Sequence, residues 1–111
     1  VAGIIKDVAA AGALHASYTM VRLNGEVKHL FRDWLIKNFP DRADKVWNQI
    51  AETHGGSVND SQWGRRIKGA GVLAESIKSI FTAARRKHMH GRSFPDYNLN
   101  AFRPGGTLSL F

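Results

Sequence analysis

One proline between two apolar stripes sets most of what this chain can become. Val27, Leu30, Phe31, Trp34 and Leu35 recur at the i, i+3, i+4 spacing of a helix with one buried face. After Pro40, Ala43, Val46, Trp47, Ile50 and Ala51 repeat the pattern. Proline disfavours helical geometry in the residue before it and suits the first turn of the helix that follows. The spacing therefore predicts helices over 26–39 and 41–53, the second with Asp41 and Asp44 near its positive N-terminal end and Gly55-Gly56 as its stop. A third stripe of Leu73, Ile77, Ile80, Phe81 and Ala84 predicts a helix over 72–89. The three helices are expected to share a core through Trp34, Trp47 and Phe81. The fold class read from this is mainly α with a minor β component.

The minor component is a single segment. Residues 2–11 read as a short Ala- and Ile-rich helix ending at Gly12, with Ile4, Ile5 and Val8 on one side. Leu14 to Arg22 then carries Tyr18, Thr19 and Val21, which favour strands, so 14–22 is predicted as a strand before the Asn24-Gly25 turn. Standing alone, such a strand is a template for pairing, with a second copy or with the tail at 107–111. Residues 57–71 fit neither regular element. The chain from Ser93 reads as an extended tail.

Charge narrows the function classes. Of a net +7, residues 57–92 hold +6, with eight Lys/Arg against Asp60 and Glu75. Such a footprint attracts polyanions, nucleic acid first among them, although a solvated face is the plainer alternative. Within it, NDSQWGRRIKGAG combines glycines that let a backbone approach a ligand, guanidinium groups that suit phosphate, and Trp63 for stacking on a base. The candidate nucleic-acid-binding residues are Trp63, Arg65, Arg66 and Lys68, with Arg85, Arg86 and Lys87 from the third helix. The alternative has Trp63 plugging the core while Arg65 and Arg66 face water.

Catalytic signals are sparse. There are no cysteines, hence no thiolate nucleophile, disulfide or sulfur-ligated metal, which fits a cytoplasmic chain. Neither a phosphate loop of the P-loop kind nor HExxH occurs. His88 and His90, two apart on a helix, point to different faces, and Ser57 and Ser61 have no evident base. His15, His29 and His54 read as surface or packing residues. No catalytic or metal-ligating residue is assigned. No apolar run approaches the ~20 residues of a membrane helix, so no membrane partner is expected.

The order GEV, LFRDWL, FPDRADKV, DSQWGRRIKGAG and LAESIKSIF resembles the C-terminal region of bacterial radical SAM proteins related to spore photoproduct lyase, often described as DNA-repair photolyase-like. The residues carrying it are Asn24, Gly25, Glu26, Val27, residues 31–35 and 40–44, Asp60, Ser61, Trp63, Gly64 and Arg66, with Phe102-Arg103-Pro104 and a terminal LSLF. Ala70, Gln62 and Val72 depart from the family pattern, which has an acidic residue, an arginine and a proline there. The resemblance implies that 1–24 is the last helix and strand of a partial β/α barrel, 25–92 a helical appendage and 93–111 an extended tail. It also implies, for a longer chain, a four-iron–four-sulfur cluster on a C-x3-C-x2-C loop that cleaves S-adenosylmethionine. That half has no counterpart here. A chain beginning at Val1 is expected to be a piece whose partner is the upstream barrel, with Arg22 at the barrel mouth as the contact toward the cofactor.

The tail offers a further partner. TLSLF resembles the pentapeptide by which bacterial replication and repair proteins dock on the sliding clamp, with Leu108, Leu110 and Phe111 as anchors and Thr107 in place of glutamine. Docking onto the chain's own core is the other reading. Three functions thus stand side by side: the substrate-engaging end of a radical SAM enzyme, a stand-alone nucleic-acid-binding module, and an adaptor acting through its C-terminal peptide.

Overall fold

The computed structural model describes residues 1–101 and 105. The elements are α1 (Ala2–Ala10), α2 (Val27–Asn38), α3 (Ala43–Thr53), the single turn α4 (Arg65–Lys68), α5 (Val72–His88) and a 3-10 turn at Leu99–Ala101. The chain is mainly helical. Phe39 leaves helical geometry at φ −139°, as the residue before Pro40 must, and Asp44 stands in the first turn of α3. The three long helices fall within a residue or two of their predicted bounds. The expected tail docking through Leu108, Leu110 and Phe111, and its pairing at 107–111, lie outside the described residues.

Two expectations are corrected. First, among the described residues no strand forms. Residues 13–24 run extended between helices, and their backbone contacts are isolated: the Met20 amide donates to Ile67 O at 2.8 Å and the Leu23 amide to Val58 O at 2.8 Å. β-branched residues set an extended backbone, but a strand also needs a continuous ladder, and helices and loops supply none.

Second, Trp34, Trp47 and Phe81 do not share a core. Two separate clusters form. In one, α1 lies on α5, joining Ile5 and Ala9 to Phe81, Ala84 and Met89, with Ala13, Ala16 and Tyr18 against them. Burying a side chain the size of Phe81 stabilises by roughly 1.5–3 kcal/mol, so this contact anchors α1. In the other, Leu23, Ile50 and Val58 meet, with Phe31, Val46, Trp47 and Ala51 packed around them. Trp34 remains 48% exposed, stacked between Phe31 and Phe39 at centroid distances of 5.8 and 5.4 Å. α3 meets α2 on the side that carries Phe31 and Arg32. In the rest of the stripe, Val27, Leu30 and Trp34 face away from it and stay exposed.

The segment at 13–24, α3 and α5 meet at Gly69. Its φ is +71°, and a Cβ there would lie 3.2 Å from both Met20 Cγ and the Thr53 carbonyl, and 3.3 Å from Ala74 Cβ. Only glycine fits this crossing of the extended segment, the end of α3 and the start of α5. The adjacent Ala70 amide donates to the same Thr53 carbonyl at 2.8 Å.

A buried carboxylate brace and a basic cleft as the candidate functional site

Asp60 organises the loop that the sequence marked as basic. It is 5% exposed. Arg65 grips its carboxylate with both arms of the guanidinium, Nε to Oδ2 at 2.5 Å and Nη2 to Oδ1 at 3.2 Å. The Gln62 amide donates to Oδ1 at 2.9 Å, and Arg22 Nη1 donates to the Asp60 carbonyl at 2.9 Å. His54, fully buried at the end of α3, donates from Nε2 to the Val21 carbonyl at 2.8 Å and turns Nδ1 toward Asp60 Oδ2 at 3.4 Å. Gly55 has no side chain, so the Arg65 guanidinium lies where a Cβ would sit, 2.7 Å from Nη1.

These contacts gather the extended segment, the end of α3, the 57–64 loop and α4 around Asp60, through its carboxylate and its backbone carbonyl. The grip of Arg65, aided by the Gln62 amide and resisted by burial, holds the Asp60 carboxyl at a pKa of about 2, and Asp60 in turn raises that of Arg65. A carboxyl lowered on folding contributes stability that is complete above its unfolded pKa of ~4 and is lost as pH falls through the folded value. Acid titration should therefore show a stability loss between pH ~4 and about 2 that Asp60→Asn removes, read by circular dichroism.

The arrangement sorts the candidate residues. Arg65 grips the Asp60 carboxylate and Arg22 donates to the Asp60 carbonyl, so both help hold loops in place. Arg92 serves α1 in the same way, its Nη1 donating to the Ala9 and Ala13 carbonyls at 2.8 Å each. Trp63 is 84% exposed, with the Arg66 guanidinium 5.4 Å from its ring centre, so it does not plug the core. Lys68, Arg85, Arg86 and Lys87 are exposed.

Lys68 and Arg85 come together in a cleft of about 400 Å³ between the extended segment, the end of α4 and α5. Lys78 joins them, and Tyr18, Ala74 and Phe81 supply an apolar floor with Ser17 and Thr82 beside it. Lys68 Nζ stands 4.9 Å above the Tyr18 ring. Arg85 also borders a neighbouring hollow with Arg86 and His90, so cationic surface continues past the cleft. Sequence reasoning overlooked Lys78 and Tyr18. Glu75, Lys78, Thr82 and Arg85 share one face of α5 at helical spacing, and that stripe was the available signal. His54 and Asp60 were also unpaired in the sequence reading.

Comparison with protein-family models, with curated proteins and with solved structures returns no match. Among the described residues no group of three or more His, Cys, Asp or Glu side chains could hold a metal ion, and no helix is long and apolar enough to cross a membrane. An iron–sulfur cluster of the kind the resemblance implies needs cysteine thiolates, and the chain has no cysteine. The donor set here does not fit that group.

Proposed function

We propose that this chain is the substrate-engaging C-terminal region of a cytoplasmic radical SAM enzyme similar to spore photoproduct lyase, and that it holds single-stranded nucleic acid on the surface around Lys68, Lys78 and Arg85. The observation that carries the binding role is the cleft itself. Cations from two elements converge on it over an apolar floor, whereas on α2 carboxylates offset two of the cations. On α2, Lys37 pairs with Asp33 at 2.7 Å and Arg32 approaches Asp44 at 4.0 Å. Arg66 and the exposed Trp63 supply a cation and a stacking surface on the neighbouring turn. On this reading α1 and the extended segment close a partial barrel in a longer chain, where residues 14–22 gain ladder partners. Chemistry belongs to that barrel, and this region binds.

Fluorescence anisotropy with a labelled single-stranded oligonucleotide at low salt tests the role. Lys68→Ala, Lys78→Ala and Arg85→Ala together are expected to weaken binding by at least ~10-fold, since each charged contact to phosphate contributes measurably. Lys28→Ala, Arg32→Ala and Lys37→Ala together should change it little. Equal losses from the two sets would reduce the interaction to general attraction between a basic protein and a polyanion.

A further inference from the structure

The cleft is more specific than a strip of positive surface. Its volume of about 400 Å³ lies in the range of small-ligand sites and suits one nucleotide rather than a run of backbone. Its charges are unbalanced by a definite amount. Lys68, Lys78 and Arg85 face a single carboxylate, Glu75, which lies 3.7 Å from Lys78. Among the described residues neither Lys68 nor Arg85 has a carboxylate partner. The lining thus carries a net +2. An internal phosphodiester brings one negative charge, whereas a phosphomonoester brings ≈ −1.5 to −2 at neutral pH.

The walls are set apart in a way that suits such a group. Lys78 and Arg85 are seven residues apart on α5, about 10 Å along the axis, and Lys68 reaches in from the opposite side over Tyr18. Gly69 and the Asp60–Arg65 brace fix the turn that carries Lys68, so its position is built into the fold. Below the cations, Tyr18, Ala74 and Phe81 give a heterocycle an apolar surface, and Ser17 and Thr82 offer hydroxyls to its polar edges.

We propose that this cleft takes a nucleoside phosphomonoester, either the phosphorylated end of a nucleic-acid strand or a free mononucleotide, in preference to internal backbone. The proposal rests on the binding site of the preceding section and names the group that it selects. The test compares the same single-stranded oligonucleotide, labelled at its 3′ end, with a 5′-phosphate and with a 5′-hydroxyl, and adds adenosine 5′-monophosphate and adenosine as competitors.

The phosphorylated strand is expected to bind ~10-fold tighter, the scale of one or two hydrogen bonds between charged groups. Lys68→Ala and Arg85→Ala, both at exposed side chains, should each remove most of that difference, and Glu75→Gln should enlarge it. Adenosine 5′-monophosphate should compete and adenosine should not. Competition at concentrations matching the strand's own affinity assigns the site to free nucleotides, and competition ~10-fold weaker or more assigns it to strand ends.

Strands that bind equally with and without the 5′-phosphate would overturn the inference while leaving nucleic-acid binding in place. A preference that survives Lys68→Ala and Arg85→Ala would overturn it as well, since the phosphate would then be read elsewhere. Binding of adenosine 5′-monophosphate without binding of either strand would uphold the cleft and remove nucleic acid as its substrate. Binding of none of them would overturn both.

Discussion

Replacing Asp60 by alanine is expected to lower the melting temperature by on the order of 10 °C, the largest effect of any single polar substitution among the described residues. The carboxylate is nearly inaccessible, and removing it leaves two groups unpaired at once. Arg65 loses both hydrogen bonds and the Gln62 amide loses its acceptor. Leaving a part-buried donor or cation without its partner costs more than an exposed ion pair contributes. Asp33→Ala and Asp44→Ala, which break only exposed pairs, should shift the melting temperature by about 2–4 °C or less. Asp60→Ala combined with Arg65→Ala should cost less than the sum of the two, because neither is then left facing an absent partner. A loss for Asp60→Ala no greater than for Asp33→Ala would mean that the brace does not hold the loops together.

The brace explains why part of this molecule was legible in the sequence and part was not. Helices α2, α3 and α5 announce themselves because an amphipathic stripe repeats every three to four residues, and Pro40 marks the break between two of them. The loss of Trp34 from the core could not be read the same way. A stripe says which face of a helix is apolar, whereas burial also needs a neighbour, and α3 meets α2 on the side of Phe31 and Arg32. The segment at 14–22 fails for a related reason. Tyr18, Thr19 and Val21 favour extended backbone, but the ladder must come from elsewhere, and here Ile67 and Val58 each accept a single bond.

The candidate site divides along the same line. Composition picked out the basic loop, and it holds Lys68 at the cleft edge. What composition could not tell was which arginines are free. Arg65 and Arg66 are adjacent and chemically alike, yet one grips Asp60 and the other stands beside the exposed ring of Trp63. The distinction depends on the chain path through Gly55 and Gly56, which folds His54 and Asp60 back against each other.

The salt dependence of single-strand binding bears most heavily on the role proposed for Lys68, Lys78 and Arg85. Each phosphate that a cation neutralises releases counterions, and for single strands the logarithm of the affinity falls with the logarithm of salt with slope ≈ −0.7 per contact. Three contacts predict a slope of about −2 for the intact chain. The Lys68, Lys78 and Arg85 triple alanine variant should bind weakly and with most of that slope lost, while the Lys28, Arg32 and Lys37 variant keeps the slope of the intact chain. Equal slopes for the two variants, or no binding of the intact chain at low salt, would contradict it.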